Sequence, residues 1–358
     1  NELLLSFSPL EHMRSINLIF ESKENSTTSN IIMKAGDSIE YSIKSRRGYN
    51  SYWIYGNIVD PPLNNLSIIT VNTPLVKVFF KQDNEDGNAI PVDLEEFINW
   101  KFDLWRQKDY EVFQWDLFPD IFLIDTESYD IQSKFFKRLA FFTEKKMAVG
   151  ELLSDEELKP LHGWNAHDYK ADDLARFFNE ADTLGIILNE YELLLKEILL
   201  ENQVLKITSG RVRPLKGGIL SISRESNARL RWLFLTHESY HGIFFSSKEY
   251  ESAVFEIWNN LPEEQKDFWR IFLDLYGYNI NDEYLLINEF QAYLMQQDTS
   301  LTDSYFRSKI EWMISIRPYL KKQLENRNTF FKNALAVEES AYSLLGIKAG
   351  DLVLKRKK

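Results

Sequence analysis

Five consecutive residues, His237-Glu238-Ser239-Tyr240-His241, have types and a spacing that suit metal-assisted hydrolysis. On an α-helix, residues four apart lie one turn apart on the same face, so His237 and His241 can direct imidazole nitrogens at one ion. Glu238 can then reach a water molecule on that ion and take its proton. The pattern predicts a zinc ion bound by His237 and His241, with Glu238 as the general base.

A catalytic zinc site needs a third protein ligand and keeps one position open for water and substrate. A histidine six residues after His241 is excluded, because Ser247 stands there and Phe244 stands where that type of site has glycine. The remaining histidines, which are His12, His162 and His167, lie upstream. We expect His162 and His167 to lie in a loop away from the site.

Acidic residues are the better candidates for the third ligand. Glu289 follows Asn288 in a helix-like stretch over residues 283–297, and a carboxylate on a second helix can face the first helix across a metal ion. Glu256 is the main rival. We therefore predict His237, His241 and Glu289 as the metal ligands.

A hydrogen-bond donor for the developing oxyanion is harder to assign. Tyr293 lies one turn beyond Glu289, and Tyr240 and Tyr250 are comparable candidates. Most tyrosines in a chain this aromatic are packing residues. Because Tyr293 lies next to the predicted ligand Glu289 on the same helix, it is the first candidate.

The elements that position these residues can be predicted from local patterns. Leu230, Phe234, His237 and His241 form one stripe of an amphipathic helix, for which Ser226 is a suitable cap. A strand is predicted at residues 219–223, immediately before this helix. Further upstream we predict a buried strand at 120–125 and helices at 129–143, 155–159, 171–184 and 190–201. Capping boxes or a glycine stop mark the last three of these helices.

The first 90 residues differ from the rest. Short runs of β-branched and aromatic residues alternate there with turn signals, at residues 15–20, 30–34, 38–43, 51–58, 66–71 and 75–80. This spacing predicts an antiparallel β-sandwich of about seven strands. We place a domain boundary at residue 90, with residues 91–358 forming a second domain in which 91–160 are a candidate small α/β subdomain.

Bulk properties exclude several classes of protein. A net charge of −12 and a pI near 5.1 argue against a nucleic-acid partner, which needs clustered cations. The absence of cysteine excludes thiol ligands and disulfides. No stretch approaches the roughly 18 to 20 consecutive apolar residues that a transmembrane helix needs. Because the chain begins at Asn1, we expect a secreted, periplasmic or cell-surface protein, with a cytoplasmic one as the alternative.

The strand at 219–223, the helix with His237 and His241, and the later Asn288-Glu289 together resemble the gluzincin zinc metallopeptidases. The resemblance covers about 80 residues. It implies a mostly helical α+β, zincin-like catalytic domain with His237, His241 and Glu289 as zinc ligands and Glu238 as base. It also implies that the strand before the helix is the edge strand on which an extended peptide lies.

The sequence thus predicts a multidomain protein that cleaves a peptide or protein substrate with zinc. The alternative is a catalytically silent zincin-fold binding protein whose β-sandwich recognises a protein or glycan partner. A purely structural zinc ion is disfavoured, because such sites prefer four protein ligands, commonly cysteine.

Overall fold

The structure is a computed structural model of a mixed α and β protein. The chain divides into two compact units, Asn1–Gly87 and Asn88–Lys358. Across the part that is described, no helix has the length and apolar character needed to cross a membrane. The structure describes residues 2–6, 13–22, 30–35, 39–44, 48–55, 65–71, 73–82, 89–324 and 329–350.

The N-terminal unit consists of antiparallel strands in two small sheets, with strand orders β1-β6-β3-β4 and β5-β2-β7. Buried side chains two residues apart, such as Leu18 and Phe20, show that one face of a strand is covered. That the two sheets form a β-sandwich stays a prediction. The strands are β1 (Glu2–Ser6), β2 (Met13–Ser22), β3 (Asn30–Ala35), β4 (Ile39–Lys44), β5 (Gly48–Tyr55), β6 (Asn65–Val71) and β7 (Leu75–Gln82).

The second unit contains a five-stranded mixed sheet and a separate hairpin, β12–β13. Its strands are β8 (Ile90–Val92), β9 (Tyr110–Trp115), β10 (Ile121–Thr126), β11 (Ala166–Lys170), β12 (Leu205–Thr208), β13 (Arg211–Pro214) and β14 (Gly218–Ser223). The sheet order is β11-β14-β10-β9-β8, and β10 runs parallel to β14 but antiparallel to β9. Because β8 to β10 share this sheet with β11 and β14, residues 91–160 do not form a sheet of their own.

Helices cover both faces of this sheet. The helices α2, α4 and α5 pack on one face, and α6 and most of the later helices lie on the other. Alternate residues of β10 point into the two cores, which is why its first four residues, 121–124, are all apolar and do not alternate with polar ones. The helices are α1 (Leu94–Asn99), α2 (Tyr129–Thr143), α3 (Asp155–Leu158), α4 (Ala171–Leu184), α5 (Glu190–Glu201), α6 (Ala228–Ser246), α7 (Lys248–Asn259), α8 (Glu263–Tyr276), α9 (Glu283–Met295), α10 (Thr302–Ile316), α11 (Lys321–Leu324) and α12 (Phe330–Leu345).

Helix boundaries that depend on local signals are confirmed. Helix α2 has the predicted bounds, and α4 ends at Gly185, whose φ of 65° is left-handed. Reciprocal capping boxes form at Ser154 and Asn189. Hydrogen bonds between residues three or four apart decide these boundaries, so no distant part of the chain is needed to predict them.

Two expectations about the segment before the metal motif are wrong. Asn227 caps α6 in place of Ser226, by accepting a hydrogen bond from the Leu230 amide. Strand β14 lies between β10 and β11 and is buried on both faces, so it is an interior strand. Among the described residues the edge strand on this side of the sheet is β11, whose first two residues belong to the stretch 162–167 for which the sequence predicted a loop.

A buried ion pair ties α6 to the sheet. Asp125 on β10 is fully buried, and it accepts two hydrogen bonds from the Arg231 guanidinium on α6, at 2.7 and 2.9 Å. Arg224 donates to the same carboxylate at 2.9 Å. Since Arg231 precedes His237 by six residues on one rigid helix, this contact sets where the motif lies against the sheet.

We expect Asp125→Ala to lower the free energy of unfolding by about 3–5 kcal/mol, because it leaves two arginines next to the core without their counterion. Urea denaturation of the full chain measures this. The matched control is Asp130→Ala, which removes the exposed partner of Lys134 and should cost less than about 1 kcal/mol. Equal losses in the two variants would contradict a structural role for the buried pair.

Candidate metal centre

Burial increases along helix α6, whose second half is buried on every side. Leu230 and Phe234 are half-buried, whereas nearly every residue from 235 to 244 is inaccessible to solvent. The buried surface of this helix is therefore wider than the apolar stripe that the sequence predicted. Gly242 marks the close approach to the sheet, since a Cβ atom there would stand 3.4 Å from Leu220 of β14.

His237, His241 and Glu289 converge on one point between α6 and α9. The two imidazole Nε2 atoms are 3.1 Å apart. The carboxylate oxygens of Glu289 lie 3.5 Å from Nε2 of His237 and 3.7 Å from Nε2 of His241. The structure thus brings together the three residues that the sequence predicted as ligands, although Glu289 follows His241 by 289 − 241 = 48 positions in the chain.

The spacing and the chemical state of these groups fit a small divalent metal ion. Ligand bonds of about 2.0–2.1 Å at tetrahedral angles place the ligand atoms roughly 3.3 Å apart, close to the separations found here. Burial lowers the pKa of His237 to about 4, so its imidazole is neutral at neutral pH, as a ligand must be. One oxygen of Glu289 is buried without a hydrogen-bond partner, as expected for an atom that faces a cation.

Gln296 orients the first histidine. The side-chain oxygen of Gln296, just after α9, lies 3.1 Å from Nδ1 of His237. A carbonyl oxygen can only accept, so this contact keeps the proton on Nδ1 and leaves the Nε2 lone pair facing the site. Carbonyl and carboxylate groups make the same contact to histidine ligands in metal sites generally.

Acidic side chains cluster around the two histidines. Burial, and then the neighbouring carboxylate of Asp168, raise the pKa of Glu238 well above its usual value, and burial raises that of Glu289 to about 7. The pKa of Glu144 is also raised, first by burial and then by Asp168 and Glu289. Four carboxylates held this close together favour binding of a cation, because its charge offsets their repulsion.

Asp168 is a site residue that the sequence did not predict. It lies on the edge strand β11, hydrogen bonds to Glu238, and has its Oδ1 atom 3.9 Å from Nε2 of His241. With Glu238 and His241 it forms a second group of potential ligand atoms that overlaps the first. The alternation within residues 166–170 was the available signal, but a run of five residues is too short to separate a strand from a loop.

The remaining histidines have other positions. His167 lies in β11 and not in a loop, and its ring points to the opposite face of the sheet, where its Nδ1 atom contacts the Tyr169 hydroxyl at 2.9 Å. Burial lowers its pKa to about 3. His162 is exposed in a loop, as expected, and His12 lies outside the described residues. Glu256, the rival ligand, is exposed on α7.

Two of the three candidate tyrosines have structural hydrogen bonds. Tyr240 donates to the backbone oxygen of Lys348 at 2.6 Å, and Tyr250 donates to Gln291 at 3.0 Å. Both are buried, and their hydroxyls are engaged away from the histidines. Tyr293 packs its ring edge-on against His237, with ring centres 4.7 Å apart, and remains the candidate among the three. Tyr278, which the sequence did not indicate, lies beside Glu289.

The chain matches no family model, no curated protein and no solved structure. The chemistry of this site therefore has to be inferred from its own geometry.

We expect Gln296→Leu to weaken metal binding by about 10- to 100-fold, because His237 loses the partner that fixes its tautomer. Competition with a chromogenic chelator measures the affinity. Gln265→Leu is the matched control, since Gln265 bonds to Asn333 far from the histidines and its loss should leave affinity unchanged. The same weakening in both variants would show that Gln296 has no specific role.

Proposed function

We propose that this chain is a zinc-dependent hydrolase, most specifically a metallopeptidase of the gluzincin type. The observation that carries the proposal is the convergence of His237, His241 and Glu289 on one point, with Glu238 beside them. Two imidazoles and one carboxylate form the ligand set typical of peptidases that use zinc. A zinc ion bound there supplies Lewis acidity to a substrate carbonyl and lowers the pKa of water.

Glu238 is the proton carrier in this proposal. It follows His237 directly and is buried next to both imidazoles. Its carboxylate takes a proton from the attacking water and transfers it to the leaving amine, so that the C–N bond breaks without expelling an amide anion. Tyr293 is the proposed donor to the oxyanion, because it is the candidate tyrosine whose ring touches a site histidine.

The edge strand β11 is the proposed binding surface for an extended peptide. It pairs antiparallel with β14 on one side and is the last strand in its sheet among the described residues. A peptide added along its open side gains main-chain hydrogen bonds, and Asp168 sits at the middle of this strand. This geometry supports a peptide or protein substrate. The zincin-like architecture, an N-terminal β-sandwich and an exported location are further parts of the proposal.

Replacing Glu238 with Gln should preserve metal content and reduce turnover by at least about a hundredfold, because the amide cannot accept the proton. Replacing His237 with Ala should remove the metal. Elemental analysis of the purified proteins and mass spectrometry of a digested peptide library measure the two properties.

The two readouts separate the possible outcomes. A wild-type protein that binds zinc but cleaves no peptide favours the silent binding protein, whereas one that purifies without metal and takes up none overturns the proposed site. Full activity of Glu238→Gln would contradict the assignment of the base.

Asp168 should act by orienting Glu238. We expect Asp168→Ala to retain zinc, since three ligands remain, and to lower kcat/KM by roughly tenfold. Asp168→Asn keeps a group that can hydrogen bond to Glu238 and should recover much of the activity. Loss of zinc in the alanine variant would instead identify Asp168 as a ligand.

A further inference from the structure

The hairpin β12–β13 carries an unusual arrangement of charge. In its register Lys206 lies directly opposite Arg213, and Thr208 lies opposite Arg211. Residues opposite each other, and residues two apart on one strand, share a face, so three cations lie on one face of the hairpin. All three are exposed. Like charges placed directly opposite each other destabilise a two-stranded ribbon.

No acidic side chain neutralises this face within the described part of the chain. Lys206, Arg211 and Arg213 form no ion pair there, in contrast to Lys216, which bonds to Asp120 at 2.8 Å just beyond the hairpin. The chain as a whole has a net charge of −12. Three unneutralised cations on one rigid surface of so acidic a protein indicate a binding partner that carries negative charge.

The hairpin is a rigid projection from the protein. Its turn residues Ser209 and Gly210 have φ values of 53° and 73°, the left-handed pair that closes a tight two-residue hairpin. The face opposite the cations packs on the protein through buried Leu205 and Val212. The side chain of Asn179 on α4 bonds both the amide and the carbonyl of Val212, at 3.0 and 2.7 Å.

Exposed aliphatic side chains lie at the same end of the protein as the hairpin tip. Gly217 meets the start of α4 at Ala171, and Val212 meets it at Asn179, so the hairpin runs antiparallel to the helix and its tip points toward the helix end. There Leu184 is 56% exposed and Ile187 is 90% exposed. Ile207 lies opposite Val212 in the register, so it is on the hairpin face that does not carry the cations, where it is 58% exposed near the tip.

We propose that the β12–β13 hairpin and the adjoining end of α4 form a docking surface for an anionic lipid membrane. A tip that carries cations on one face, and exposed aliphatic side chains on its other face and at the adjoining helix end, suits a bilayer surface met tip first. Phosphate groups then meet the cations and the aliphatic groups enter the acyl boundary. A nucleic acid or other polyanion uses the cations alone and does not account for the aliphatic residues. The overall negative charge does not prevent binding, since charges farther away than about 8 Å are screened at physiological ionic strength.

The test is co-sedimentation of the full chain with vesicles of phosphatidylcholine, with and without phosphatidylserine as a minor component. We expect binding only to the anionic vesicles, with loss at high salt. Each cation contributes about a fivefold gain, so the combined variant Lys206→Gln, Arg211→Gln, Arg213→Gln should bind roughly a hundredfold less tightly. Ile207→Ser should also weaken binding, and Asp182→Asn, next to the aliphatic residues, should strengthen it.

The matched control changes three exposed cations elsewhere: Arg317→Gln, Lys321→Gln and Lys322→Gln. It alters net charge equally and should bind as the wild type does. Circular dichroism verifies that both combined variants are folded. Equal loss in the two combined variants, no preference of the wild type for anionic vesicles, or binding to heparin without binding to vesicles would each overturn the proposal.

Discussion

Helix α6 carries ionisable side chains through the interior of the second unit, and the surrounding elements are arranged to compensate for their burial. His237, Glu238 and His241 are all nearly inaccessible to solvent. Burying such groups without partners is costly, because water no longer solvates them. Each neighbouring element therefore supplies a polar group: Asp168 from β11, Glu289 from α9 and Gln296 from the residue that follows α9.

The same helix is held in place at several points along its length. Arg231 bonds to Asp125 of the sheet, and Gly242 allows close contact with Leu220 farther along. On the other side, the Gln291 amide donates to the backbone oxygen of Tyr240 at 3.1 Å, which links α9 to the turn between the two histidines. A metal site requires its ligand atoms to be held within a fraction of an ångström, and these contacts provide that rigidity.

Acidic side chains line the site, and the edge strand β11 contributes one of them, Asp168. Glu144 reaches the site from the end of α2, where its carboxylate accepts a hydrogen bond from Trp164 at 2.9 Å. With Asp168, Glu238 and Glu289 it forms a strongly acidic lining that a divalent cation would stabilise. Asp168 is more accessible than Glu289, since its side chain is 18% exposed compared with 4% for Glu289. A substrate that pairs with β11 would therefore reach the site beside Asp168.

The sequence alone determined the local features of this protein. The motif from His237 to His241, the helix around it, the capping boxes at Ser154 and Asn189 and the stop at Gly185 depend on residues a few positions apart, and Glu289 could be proposed from the helix it lies in. Only the tertiary structure decided that β14 is an interior strand, that β11 is the edge strand and that Asp168 faces Glu238. Strand order and facing side chains follow from pairing between segments more than 40 residues apart, for which a single sequence contains no periodic signal.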